Sequence, residues 1–474
     1  MQERFIVAVD PGDSRISLTV SMVKDGVASV VHYAETPSQG IRHGTVFNPK
    51  KVCAPLCSLI HGAEEALDME IHEVVIPYPR WKVSTAQISY SYKRTSPSDF
   101  ISEEEIENLR MMALDDFRAE LDPGLEIYGA VAQHFSTEDL FQVRESDIVG
   151  VTGEQVEGVY NVYYGAKKAV DNLDKVLSEL NLSSRKYFLP EAVGDTVLVN
   201  DDKEQGVALI EIGGGVTSVS VFSLGVLRFY DSFPFGGKSV STDIKLECGI
   251  PEALAENIKL GYGSCMPDRL YTLADKTLEI QGEGRSESQQ LPVKYLAEVI
   301  GSRMREIASA ALYLIGKSGY SDRLRSGIVL CGGGSEILSC STLFAEMSGL
   351  DARINTVRNS LIITEGCPEL SSPAAVSQLA MISLAAENTT INCAVPKEAP
   401  VEEEEDNNPE PTLFNVPIDE KPTDEEQKLA DEIKKHRRDP KPPRKRPIDW
   451  LKEFSQEIFN ENIESGYQNT NDND

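Results

Sequence analysis

The stretch Gly206–Phe222, GVALIEIGGGVTSVSVF, constrains the fold more than any other part of the chain. Val207–Ile212 is a short apolar run broken by one acid, Glu211, which suits a strand buried on both faces. Gly213, Gly214 and Gly215 then turn the chain where no side chain is present, and Thr217, Val219 and Val221 resume an alternating strand. The pattern predicts a β-hairpin with a glycine tip. Such a tip lets backbone N–H groups face an oxygen-rich anion, phosphate above all, although a ligand-free tight turn has the same composition.

Two more turns of this kind follow apolar runs. Asp10-Pro11-Gly12-Asp13-Ser14-Arg15 joins a strand at Phe5–Val9 to another at Ile16–Met22, and Gly332-Gly333-Gly334 ends a buried strand at Ile328–Cys331. Two hairpins facing each other across a cleft would grip a triphosphate from both sides. The third turn, expected to run straight into a helix, offers backbone against which a flat base could rest. Asp10 and Glu211 could hold a hydrated Mg²⁺, which keeps most of its waters and needs only a carboxylate or two. An acid beside a turn also caps backbone N–H groups, so each has a purely structural alternative.

A chain of 474 residues is too long for one core and implies about three folded units. Its net charge of -30 argues against general nucleic-acid binding, which needs a basic face. The eight cysteines show no CxxC pair or zinc spacing; Cys53 and Cys57, four apart on an expected helix, read as buried thiols in a reducing, cytosolic compartment. The opening MQERFIVAVD enters a strand at once, so no secretory signal is expected, and no apolar run approaches the length of a membrane span.

Between the turns, Lys50–Met69 places apolar residues at helical spacing, Val74–Ile76 reads as a strand and Ile88–Tyr92 as a half-exposed one. Ser102 and Glu105 form an S-x-x-E capping box before a helix that buries Ile106, Leu109, Ala113, Phe117 and Leu121. Residues from about Val83 to Glu157 thus form a small α+β unit set into a larger one. Asp268–Leu291 has the polar alternation of exposed strands and turns, and Val293–Gly316 reads as a long helix. From Ala386 acids, prolines and asparagines dominate, and a disordered linker is expected.

The ordered set of motifs resembles the actin/hexokinase/Hsp70 superfamily of two-lobed nucleotide clamps, and within it the bacterial cell-division actins of the FtsA family. IRHGTVFNPKKV (Ile41–Val52), the hairpin above, FGGKSVSTDI (Phe235–Ile244), AENIKLGYG (Ala255–Gly263), GIVLCGGGSEI (Gly327–Ile337) and the stretch Ile148–Leu173 carry the likeness. The resemblance implies an α/β, actin-like (ribonuclease H-like) ATPase fold with an FtsA-type α+β insert and a disordered tail. It divides the chain into subdomain 1A (1–82, 158–205 and 370–386), the SHS2-like insert 1C (83–157), 2A (206–238 and 326–369), 2B (239–325), a linker with a basic run (387–447) and an amphipathic helix (448–463).

The same resemblance implies residue roles. Asp10, Gly12, Ser14 and Arg15 would form the first phosphate hairpin, and Gly213, Gly214, Gly215 and Thr217 the second. Gly237 would belong to the nucleotide site, Glu256 and Lys259 would touch the ribose, and Gly332, Gly333 and Gly334 would lie beneath adenine. Asp10 and Glu211 would position Mg²⁺ or water. The chain departs from the family where Glu211 replaces the usual Asp and where Val216 and Ser218 replace a Thr and an Asp. Asp13 adds a negative charge beside the expected phosphates, which opposes binding unless Mg²⁺ or Arg15 offsets it. ATP binding with at most weak hydrolysis is the resulting expectation.

Near the C-terminus, Lys434–Arg446 holds eight Lys/Arg and one Asp in thirteen residues. Beyond it Trp450, Leu451, Phe454, Ile458 and Phe459 share one face at helical spacing. A basic run beside an apolar helix fits an interfacial anchor on an anionic membrane. The resemblance implies that such a protein forms homopolymers and tethers filaments of the tubulin-like FtsZ to the inner membrane at the division septum. It also implies that other division proteins meet the insert. The alternatives are a scaffold of the PilM type for pilus assembly and a small-metabolite kinase of the same superfamily.

Overall fold

The computed structural model describes residues 3–280, 289–358 and 361–397. Strands β1 (Arg4–Pro11) and β2 (Arg15–Lys24) pair antiparallel up to Pro11 opposite Ile16, with four residues turning the chain between that last pair, and β3 (Val27–Pro37) is antiparallel to β2. The next strand of this sheet, β4 (Glu73–Pro77), runs parallel to β1. A parallel neighbour requires a crossover, here the helix Pro49–Leu67. Asn48 caps its first turn and Val52, Leu56, Leu59, Ile60 and Ala63 bury one face. Cys53 and Cys57 ride on its flank, half-buried and free rather than buried.

After β4 the chain leaves the sheet. Strands β5 (Ser84–Lys93), β6 (Leu125–Ser136) and β7 (Gln155–Ala166) form a separate antiparallel sheet in the order β5-β7-β6. The helix Glu103–Glu120 covers it, and Ile106, Leu109, Phe135, Tyr160 and Val162 share its own small core. Ser102 does cap the Glu105 N–H at 3.1 Å. The Glu105 side chain, however, pairs with Arg94 at 2.6 Å and accepts from the Tyr92 hydroxyl, so only half of the expected capping box forms. A guanidinium is a stronger partner for a carboxylate than one backbone N–H.

The chain then returns through the helix Lys167–Glu179 to β8 (Ser183–Tyr187), parallel to β4. The second large sheet holds β9 (Val207–Ile212), β10 (Thr217–Ser223) and β11 (Val226–Phe233) in antiparallel succession. Strand β12 (Ile328–Cys331) is parallel to β9, and β13 (Ala352–Ile354) is parallel to β12. β14 (Ile362–Ile363) adds to the outer edge of the first sheet beside β3.

Strand β9 is buried on both faces as its composition predicts, and its period of two divides it between two cores. Val207 and Leu209 join the first, with the helix Val376–Glu387; Ala208, Ile210 and Ile212 join the second, with the long helix Val293–Ser318. That second helix packs Leu296, Ile300, Met304 and Ile307 onto the sheet. The described residues of the 267–292 stretch carry two 3₁₀ turns and an antiparallel pairing of Thr277–Ile280 with Gln289–Pro292.

One boundary moves. Residues 387–397 are not part of a free linker, because Ile391, Cys393 and Ala394 are buried in the first core. Ala394–Pro396 pairs with Met69–Ile71, and the Cys393 N–H donates to the Phe5 carbonyl at 2.7 Å. Arg4 holds the carbonyls of Ala386, Asn388 and Ile391. The rest of the linker, the basic run and the apolar face with Trp450, Leu451, Phe454, Ile458 and Phe459 lie outside the described residues.

Candidate functional site

The two glycine hairpins meet. Glycine at the second tip is required by this approach: a Cβ on Gly214 would come within 2.4 Å of Ser14 Oγ, and one on Gly215 within 2.3 Å of the Asp13 carboxylate. The charge of Asp13 is held by the chain itself, since its carboxylate accepts from the backbone N–H groups of His43 (2.5 Å) and Gly44 (2.6 Å). His43 also brings Nδ1 to 3.1 Å from the Gly215 carbonyl and sets its ring edge-on to Trp81. The IRHG stretch thus clasps both tips.

The hairpins line a cavity of about 240 Å³. Asp10, Gly12, Ser14, Arg15, Glu211, Gly213, Gly214, Gly215, Gly237, Glu256, Lys259, Gly332, Gly333 and Gly334 all border it. Thr217 does not: its side chain is buried and its hydroxyl donates to the Phe235 carbonyl at 2.8 Å, where it braces the turn before Gly237. The Gly237 and Lys238 N–H groups bond the carbonyls of Gly213 and Gly214 at 2.9 and 2.7 Å, which seats this helix start on the second tip. Lys259 is buried and donates to the Gly237 carbonyl (3.0 Å), Ser241 Oγ (2.9 Å) and Glu256 Oε2 (2.8 Å). Its charge is compensated and its position fixed.

The third turn also differs in detail from expectation. Gly332 sits at φ +82° with its Cα against the Ile212 carbonyl, and the chain passes through a 3₁₀ turn, Gly333–Glu336, before the helix starts at Cys340. Glycine is needed here because an L side chain is strained at this φ.

Sequence reasoning missed the side chain that holds the centre. Arg80, just beyond β4, donates from Nη1 to Glu211 Oε1 at 2.5 Å, and its Nη2 lies 3.4 Å from Asp10. Its own carbonyl accepts from the hydroxyls of Tyr230 (2.9 Å) and Ser232 (2.7 Å) on β11. Ser377 adds a 2.5 Å bond to Glu211, and Gln378 beside it bonds Ser17. Burial, opposed by Arg80, raises the Asp10 carboxyl above the ordinary aspartate range. Burial also works against the Arg80 charge, but Glu211 and Asp10 more than restore it.

No motif marks Arg80, which lies in a plain PYPRW loop; the polar pair Ser377-Gln378 inside an apolar helix was the available clue to that wall. The fit to a nucleotide and to a metal therefore differs. The interlocked tips, Gly237 and the Gly332 turn border one cavity with backbone rather than side chains, as a phosphate-and-base site needs. Asp10 and Glu211 are engaged by Arg80, and among the described residues no cluster of three or more His, Cys, Asp or Glu side chains suits a metal ion.

Comparison with known proteins agrees with this architecture. The family model described as cell division protein FtsA matches residues 208–468. The chain is 30% identical over 388 residues to the cell division protein FtsA of Neisseria meningitidis, covering 76% of this chain and 89% of that protein. It is 28% identical to that of Pseudomonas aeruginosa over 358 residues, covering 74% and 82%. Among solved structures, a PilM–PilN type IV pilus biogenesis complex superposes with a TM-score of 0.54 at 14% identity, covering 81% of this chain and 98% of that one, which shows the shared fold. This chain therefore belongs to the FtsA family and is an actin-like cell-division protein.

Proposed function

We propose that this protein binds ATP in the cleft between its two large sheets, assembles into homopolymers and tethers FtsZ filaments to the inner face of the cytoplasmic membrane at the division septum. The observation that carries the nucleotide reading is the meeting of three remote glycine turns around one cavity, with Lys259 fixed at its wall. Mg²⁺ would enter with the triphosphate. Hydrolysis is at most slow on this reading, because catalysis depends on an acid free to position water within about 1 Å, and Glu211 is bonded to Arg80 and Ser377.

The separate sheet β5–β7 is proposed as the insert that meets other division proteins, and residues 239–325 as the face for FtsZ. Support for the tether comes from the sequence beyond the described residues, where the basic run precedes Trp450, Leu451, Phe454, Ile458 and Phe459. Among the described residues no helix is long and apolar enough to cross a membrane.

Nucleotide binding tests the cleft. Gly214→Arg forces a side chain into Ser14, and affinity for ATP should fall at least about tenfold; equal affinity would remove the second hairpin from the site. Vesicle flotation tests the tether. Deleting 448–474 should abolish recovery with vesicles containing anionic lipid, and unchanged recovery would refute the anchor.

A further inference from the structure

The cavity wall carries eight charged side chains, and three of its five acids have separate partners. Asp13 is held by two backbone N–H groups, Glu256 by Lys259 and Ser241, and Glu336 by Ser372. Arg15 is turned to Glu35 at 3.1 Å. Asp10 and Glu211, one from each large sheet, share a single cationic partner, Arg80.

These are the two carboxylates from which a divalent ion would be held. A guanidinium stays protonated at every physiological pH and presents several donors in a rigid fork, so it can neutralise both acids at once. Arg80 is also tethered at its backbone by Tyr230 and Ser232, and its side chain is about one-fifth exposed. An ion seated on Asp10 and Glu211 would have to displace a positioned, largely buried cation and leave its charge to be solvated elsewhere, which is costly.

We propose that Arg80 stands in for a protein-held divalent cation in this cleft, supplying the fixed positive charge that lets nucleotide phosphates approach Asp10 and Glu211. The inference rests on the nucleotide reading above and deepens it. Two consequences follow. Metal contributes to binding only through the triphosphate it accompanies, and removing the Arg80 charge turns the two acids into a metal site.

Calorimetric titration of the full chain with the non-hydrolysable analogue AMP-PNP, in Mg²⁺ and in EDTA, tests this. Wild-type affinity should change by less than about threefold between the two buffers, whereas Arg80→Gln should lose about thirtyfold in EDTA and regain most of it with Mg²⁺. Arg80→Lys, which keeps the charge, should show the wild-type ratio. A wild type that loses about thirtyfold in EDTA overturns the proposal without recourse to any variant. So does an Arg80→Gln protein with the wild-type ratio, or an Arg80→Lys protein that behaves as Arg80→Gln. A wild type that binds in neither buffer removes the nucleotide site itself, a separate result from a site that binds only with metal.

Discussion

The two large sheets are built to one plan. Read from β8 to β3 and from β13 to β11, each has two parallel pairings followed by two antiparallel ones. Their hairpins share a register: Asp10 lies opposite Ser17 as Glu211 lies opposite Ser218, and four residues turn the chain in both. The close approach inside the turn is also alike, with a Cβ on Gly12 meeting the Arg15 carbonyl at 2.8 Å and one on Gly213 meeting the Val216 carbonyl at 2.9 Å. The side chains differ. Where the first tip has Asp13 and Ser14, the second has Gly214 and Gly215, and the bulk of one fills the space left by the other.

The neighbouring strands differ in the same complementary way. In the second sheet β12 exits through Gly332–Gly334, which offers backbone. In the first, β4 exits through Tyr78, Pro79 and Arg80, which offers a charge. Duplicate backbones supply the cleft, and unequal side chains make its two walls do different things.

That contrast can be broken at three points. The largest effect is expected at the glycine exit. Gly332→Ala combines φ +82° with a Cβ 2.5 Å from the Ile212 carbonyl, and should cost about 3 kcal/mol in urea unfolding. A loss below about 0.5 kcal/mol would mean the turn relaxes freely. Next, Asp13→Gly makes the first tip resemble the second and leaves the His43 and Gly44 N–H groups without their carboxylate, for about 2 kcal/mol. If the loss is as small as that of an exposed loop substitution, the clasp is not a stabilising contact.

The smallest effect is a pH dependence. Because burial raises the folded Asp10 carboxyl above its ordinary value of 3.8, the native state holds this proton longer than the unfolded chain does. Its contribution is most favourable at low pH and declines as pH rises from 3.8 through the raised folded value. Unfolding free energies of wild type minus Asp10→Asn should fall across that window and level off above it. A difference that rises with pH would show that Arg80 outweighs desolvation.

Much of the fold was written locally. The strand and turn of GVALIEIGGGVTSVSVF, the helix from Val293 and the separate unit around the Ser102 cap follow from periodicity and glycine placement, which depend only on near neighbours in sequence. The same holds for most of the cavity residues, because turns after buried strands announce themselves. Expectation and structure part where distance in sequence matters. Thr217, which the resemblance puts in the second phosphate hairpin, braces Phe235 instead, and Ala394–Pro396, expected as linker, completes a pair with Met69–Ile71.

By itself the sequence determined that there would be glycine bends, an acid before two of them and buried strands leading in, since backbone conformation and burial are short-range properties. Only the tertiary structure decided that Ser14 and Asp13 would fill the gaps at Gly214 and Gly215, and that Arg80 would reach both Asp10 and Glu211. Those partners lie 70 and 131 residues from Arg80 along the chain. A charge finds such partners through the packing of whole sheets, a relation that no local pattern encodes.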